Sequence, residues 1–405
     1  MRPASSGFRG SFSILAVRDF QYLLIGNTMT FAGFQVRQMA IAWLVLEATD
    51  SSLKAGIVNA TPGIAIIVLS LFAGAISDRS ERWRIIFVSR FFITAFLLVS
   101  AILVATNVIQ WWHFIPIGVG IGVMFAFHNP ASQTYAMDVV GRERIIGAAA
   151  LNTAISNLAN IAAPAAAGYL LVLGIDWAFW LLVVLYGTSF LAIIPIRKRT
   201  QPVANPRSIV SDMKAGLKYV GDNPAIKWLL IVSSSSLFNG MFLAMIPIFA
   251  RDIFDVGAGG YGQMLLFAGI GSLVGAVGLT FRGEIKHKGL VILGNMGLAA
   301  VAIAVFGVSR WWGLSLAAVF ITGMCQSLTF ILAPTVIQTS STPEMRGRVM
   351  GIFFMVVLVF QLGWIAAGAL DTAIGTRETT LIAAIGAGSL AALGFAVSPA
   401  LRKLT

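Results

Sequence analysis

Apolar residues run along this chain in blocks of roughly 20, long enough as helices to cross a hydrocarbon layer about 30 Å thick. Twelve such blocks can be placed, near residues 20–46, 54–77, 84–106, 112–137, 147–173, 176–196, 226–250, 259–281, 289–308, 312–338, 348–370 and 379–400. They are continuous runs, unlike the ~10-residue alternating strands of a membrane barrel, so an all-α polytopic membrane protein is predicted. Helices also satisfy their own backbone polar groups, which lipid cannot do. The longest break, residues 197–225, is basic and holds three prolines. Its middle, Ser208 to Val220, predicts a short amphipathic helix at the membrane surface. The pattern divides the chain into an N-terminal six-helix bundle (1–196), a cytoplasmic linker (197–225) and a C-terminal six-helix bundle (226–405).

The two halves repeat. "WWHFIPIGVGIGVM" at 111 matches "WWGLSLAAVFITGM" at 311. The pairs Gly74/Gly278, Pro130/Pro334, Arg144/Arg348 and Gly147/Gly351 share an offset of 204. A parallel repeat of six spans is a transporter architecture, and it places the expected substrate site where the halves meet.

Composition agrees with this pattern. The chain is 58% hydrophobic and 11% charged, with a mean hydropathy of +0.87, whereas soluble domains carry about 25% charged residues. The net charge of +12 is better read as membrane topology than as nucleic-acid binding. With the N-terminus inside, 23 of the 28 Lys and Arg fall in cytoplasmic segments, among them Arg79, Arg82, Arg84 and Arg90. Four fall outside, and Arg37 lies within the membrane. This asymmetry predicts both termini in the cytoplasm. The first 20 residues do not read as a signal peptide, because Arg18 and Asp19 interrupt their apolar stretch. A single cysteine, Cys325, and three scattered histidines point to no metal centre. Motifs for zinc hydrolysis, serine hydrolysis and phosphate loops are absent, so neither an enzyme nor an ATP-driven pump is expected, and no cofactor is required.

"GAISDRSERWR" (74–84), between spans two and three, resembles the loop motif of the major facilitator superfamily. Gly74, Asp78, Arg79, Arg82 and Arg84 match it, while Glu81 stands where a glycine is usual. The second-half copy, "GLTFRGEIKHKG" (278–289), has Arg282 in place of the aspartate. Stretches such as "HNPASQTYAMDVV" and "AGLKYVGDNPAIKWLL" resemble the drug/proton antiporter branch that holds enterobactin exporters and macrolide efflux pumps. The resemblance covers nearly the whole chain. It implies the twelve-helix major facilitator fold, secondary transport in a bacterial cytoplasmic (inner) membrane, and efflux of an amphipathic, drug- or siderophore-like compound against protons. A monomer without nucleic-acid partners is expected. Span five carries Ala163-Pro164 and Gly168 where the antiporter motif usually has Gly-Pro, so the proline reads either as an export signature or as a structural kink.

In the loop motif, Gly74 permits close helix approach. Asp78 can face the N-terminal end of the span that starts near Gly347. Arg82 or Arg84 can pair with Asp138. Together these residues would form a cytoplasmic latch favouring the outward-open state; the plainer reading is a topology signal.

Polar residues inside spans face away from lipid. The candidate substrate cavity therefore takes Asn27, Thr30, Arg37 and Gln38 from span one and His128, Asn129 and Gln133 from span four. Span five adds Ser156, Asn157 and Asn160, and the later spans add Asn239, Gln326, Gln361 and Trp364. For any one of them, helix–helix hydrogen bonding is the plainer reading. Arg37 has an apolar counterpart in the second half, Met241 or Leu243, so the repeated scaffold does not demand it. It reads either as a structural ion pair or as a cavity cation for an anionic or carbonyl-rich substrate. No Asp or Glu lies in the middle of a span. His128, Asp138 and Asp78 are the candidate proton carriers. Two other classes stay open at this point: an importer or facilitator of a small anion or metabolite, and a membrane scaffold without transport.

Overall fold

The computed structural model describes residues 16–141, 145–197, 209–281, 286–342 and 344–402. Regular structure among them is helical. The first half holds α1 (Arg18–Thr49), α2 (Ser52–Arg79), α3 (Arg82–Ala105), α4 (Phe114–Val140), α5 (Ile145–Leu173) and α6 (Ile175–Ile193). A linker helix α7 (Ile209–Asp222) follows. The second half holds α8 (Pro224–Ser233), α9 (Ser236–Ile248), α10 (Gly257–Phe281), α11 (Lys288–Val308) and α12 (Trp312–Ser340). It closes with α13 (Arg346–Leu358), α14 (Phe360–Ile374), α15 (Thr376–Val397) and the short α16 (Pro399–Arg402). Among the described residues, eleven helical segments are long and apolar enough to cross a membrane, with α8 and α9 forming one of them and α13 and α14 another. The 29-residue α5, with its apolar stretch Ala162–Leu173, is consistent with the twelfth helix of a major-facilitator-like fold.

The ends of the helices follow local chemistry. α4 stops at Gly141 (φ +80°) and α14 at Gly375 (φ +98°), positions where a left-handed residue turns the chain out of the helix. Pro130 sits inside α4 and Pro334 inside α12, so the sequence repeat places a proline at matching points of two spans. Span seven breaks between Ser233 and Ser236, where serine hydroxyls turn back onto their own helix. Ser233 donates to the Leu229 carbonyl at 2.7 Å and Ser234 to Ile231 at 2.6 Å. Span eleven breaks at Val359, and Ser236 donates to the Val356 carbonyl at 3.3 Å, so the two interruptions lie side by side. There α9 and α14 touch backbone to backbone. A side chain at Gly240 would strike the Phe360 carbonyl, and one at Gly363 the Leu237 carbonyl.

The chain divides into two compact units, Met1–Ala40 with Ile64–Pro206 and Ile41–Gly63 with Arg207–Thr405. In the first, Leu23, Ile86, Ala131, Tyr135, Ile193 and Ile196 form a buried apolar cluster. In the second, Leu229, Ile292, Leu332, Val336, Val349 and Phe353 do the same. The linker helix docks onto this second core rather than standing alone. Val220 is buried in it, Gly216 lies against Arg348 and Ile352, and the Tyr219 hydroxyl accepts from the Thr342 amide at 3.3 Å.

Residues 41–63 are also bound into the second unit. Trp43 stacks on Tyr261 with ring centres 6.0 Å apart. Gly56 faces the Trp364 carbonyl, and Gly368 faces the backbone of Ser52 and Leu53. Arg251 donates to the Leu46 carbonyl at 2.9 Å and pairs with Asp50 and Asp252, each at 2.5 Å.

Candidate functional site

Along α1, Gly26, Thr30, Gly33 and Arg37 recur at helical spacing and share a face. That face meets α3, α4 and α6 within the first unit, and the side chains there form a polar network. Arg90 of α3 is its hub. One terminal nitrogen donates to the Ser189 carbonyl at 2.9 Å and the other to the Asn27 side-chain oxygen at 2.8 Å. The same Asn27 oxygen accepts from Ser132 at 3.2 Å. The Thr30 and Ser189 hydroxyls lie 2.6 Å apart, both within bonding range of the Gly26 carbonyl. Thr94 donates to the Tyr186 carbonyl at 3.1 Å, tying α3 to α6.

This placement corrects one assignment from the charge pattern. Arg90, counted there among the cytoplasmic cations, is 1% exposed inside the bundle. It lies eight residues into α3, about 12 Å along the axis. On the expected orientation the cytoplasmic count falls to 22 of 28, with four outside and two arginines within the spans.

Arg37 is placed differently. It is 2% exposed and its guanidinium carbon lies 5.5 Å from the centre of the Phe34 ring. Its Nε is buried without a hydrogen-bond partner. Tyr186 is also buried, and its hydroxyl has no partner either. The tyrosine ring presses on Gly33, one turn from Arg37, where any side chain would overlap it. Phe34 meets Phe125 edge-on at 6.3 Å, and Phe125 meets His128 at 6.0 Å. His128 is 4% exposed and its Nδ1 is unpartnered.

The remaining predicted residues belong to neither of these groups. Gln38 is half-buried, whereas Asn129 and Gln133 are exposed on α4. In the second unit Gln326 donates to Asn239 at 3.0 Å. Gln361 lies against Gly63, and its oxygen and the Trp364 indole N–H are both buried without partners. Ser156, Asn157 and Asn160 lie on helix α5, and Gly74, Asp78 and Arg79 on α2; their side chains fall outside the described residues. Of the two arginines offered to Asp138, Arg82 takes it at 2.5 Å, and Arg84 pairs with Glu81 at 2.8 Å. The pattern reading missed Arg90, Ser132, Tyr186 and Ser189. Their signal was present, as an arginine inside span three and hydroxyl groups inside spans four and six. A polar node in the second unit was missed too: Asn295 donates to the Cys325 carbonyl at 2.6 Å and to Thr329 at 2.8 Å. Among the described residues no group of three or more His, Cys, Asp or Glu is arranged to hold a metal.

A family profile described as transmembrane secretion effector matches residues 9–403. The chain belongs to this family of the major facilitator superfamily. The transporter is 27% identical to the multidrug efflux pump Tap of Mycolicibacterium fortuitum, over 86% of this chain and 88% of that one. It is 24% identical to the enterobactin exporter of Shigella flexneri, over 82% of this chain and 80% of that one. Among solved structures, a bacterial homologue of the human lysosomal transporter Spinster matches with a TM-score of 0.73 at 14% identity. That match covers 95% of this transporter and 98% of the homologue, and it shows the shared fold. As a member of this superfamily, the transporter is a multi-pass protein of the lipid bilayer that handles small molecules.

Proposed function

We propose that this transporter exports an amphipathic organic compound, drug- or siderophore-like, by alternating access coupled to protons. The observation that carries the reading is the set of polar and charged side chains Asn27, Thr30, Arg37, Arg90 and His128, held within the spans of the first unit where each is costly to keep. Relatives named as an efflux pump and an exporter, matched over four-fifths of the chain, support the outward direction. Asn129 and Gln133, exposed at mid-span on α4, are poorly suited to lipid and suit a water-filled pathway. His128, Asp138 and Asp78 are the candidate proton carriers. Arg82 and Asp138, with Gly74, Asp78, Arg79 and Arg84, make up the proposed cytoplasmic latch. The protein is placed in a bacterial cytoplasmic membrane, as a monomer with both termini in the cytoplasm.

Dye accumulation in a bacterial strain stripped of its own efflux pumps tests this reading. Expression should lower accumulation, and a protonophore should restore it. Higher accumulation, insensitive to protonophore, would instead support the second reading, entry of a small anion without proton antiport. That reading is favoured by the presence of two buried guanidinium groups, Arg37 and Arg90, in the first unit with no carboxylate paired to either among the described residues.

A further inference from the structure

We infer that the exported compound is a hydrophobic aromatic acid, whose anionic group is received by Arg37 and Tyr186 against the wall formed by Phe34 and Phe125. The inference rests on the export reading and narrows it to a substrate class.

The two buried arginines of the first unit are not equivalent. Arg90 has both terminal nitrogens bonded to neutral oxygens, and it fills the space beside Gly26. Its charge is solvated by the protein itself, so it acts as a structural cation. No hydrogen bond or ion pair reaches Arg37 among the described residues, and its guanidinium lies over the Phe34 ring. Arg82, Arg84 and Arg251 form ion pairs, all elsewhere in the chain.

Arg37 and Tyr186 each present a buried N–H or O–H without an acceptor, and Gly33 brings the tyrosine ring within one helical turn of the arginine. An unmet buried donor is costly because its bond to water is lost without replacement, and an unpaired guanidinium is costlier still. One acceptor seated between them relieves both. A guanidinium in a low-dielectric site favours a carboxylate or phenolate over a neutral carbonyl, because the charged pair is the stronger bond. The neighbouring wall selects the rest of the ligand. Phe34, Phe125 and the flank of His128 form an aromatic run that offers a small hydrated anion nothing in exchange for its water. An aromatic ring, by contrast, gains edge-to-face contacts there.

The test uses the purified full-length protein in detergent, with naphthoate as the acid probe, naphthamide as its neutral twin, and chloride and sulfate as inorganic competitors, read by calorimetry. Naphthoate should bind about tenfold or more tightly than naphthamide. Arg37→Gln should abolish that preference, Arg37→Lys should keep part of it, and Tyr186→Phe should reduce it severalfold. If Arg37→Gln does not fold, the wild-type comparison and Tyr186→Phe decide. Equal affinity for acid and amide, no saturable binding of either, or a preference that survives Arg37→Gln would overturn the inference. Displacement of naphthoate by chloride or sulfate at equal concentration would also overturn it. Export is scored separately in energised cells. Naphthoate bound but not exported would refute the export reading and leave the acid site standing. Export of a cationic dye without acid preference in binding would do the reverse.

Discussion

The Arg90 guanidinium occupies the space that a side chain at position 26 would fill. Its hold there comes from the Ser189 carbonyl and the Asn27 side chain, which leaves it little room to withdraw. Gly26 and Arg90 therefore act as one feature of the α1–α3 contact. Gly26→Ala should destabilise the protein by about 1–3 kcal/mol through overpacking, despite the better helix propensity of alanine. Combined with Arg90→Met, the same substitution should cost less than the two single changes added together, because the clash is gone. Thermal unfolding in detergent measures all three. Strictly additive costs would show that the two positions are independent.

Asp138 and Arg82 form a half-buried pair, their side chains 27% and 15% exposed. Removal of one partner should cost about 1–2 kcal/mol, below the figure for a fully buried pair because water still reaches both groups. The double swap Arg82→Asp with Asp138→Arg should recover part of the stability lost in either single change. The Arg84–Glu81 pair is different, since Arg84 is 78% exposed, and Arg84→Ala should leave unfolding temperature nearly unchanged. A swap that recovers nothing would mean that the geometry of the pair, rather than its charge, matters.

Glycines in this protein differ sharply in what surrounds them. Gly240 and Gly363 carry the crossing of α9 and α14, whereas Gly297 of α11 has open space around it. Gly240→Ala and Gly363→Ala should each lower stability by about 1–3 kcal/mol as the helices are pushed apart. Gly297→Ala should be neutral or stabilising by up to about 1 kcal/mol. Unfolding curves for the three variants, measured side by side, check the contrast; equal effects would contradict it.

The fold was legible because its signal is coarse. A run of 20 apolar residues needs no knowledge of its neighbours to be read as a span, and the offset of 204 between Pro130 and Pro334 shows the repeat directly. The interruptions of spans seven and eleven were not legible. Ser233 to Ser236 can sit in a straight helix or end one, and the choice depends on α14 lying alongside. Arg90 was misassigned for a related reason. An arginine near the start of a span can extend toward the headgroups or turn inward, and only the notch at Gly26 and the oxygens of Asn27 and Ser189 decide it. Arg37 stood out because it is a charge deep in its span, whereas Tyr186 on another helix offered only a hydroxyl group on a largely apolar ring. Two donors made adjacent by Gly33 are a tertiary fact, and spacing along the chain does not encode it.

Fixed charge within the span also makes α1 and α3 electrical components. A charge carried across a membrane potential of 100 mV is worth about 2.3 kcal/mol. Arg90 is tethered to the backbone of α6, so it moves through the field only when α1, α3 and α6 move as a block. Arg37 has no such tether among the described residues, and an anion bound to it would cancel its charge. The voltage would then act on the empty carrier more than on the loaded one, so the membrane potential would bear on the return stroke.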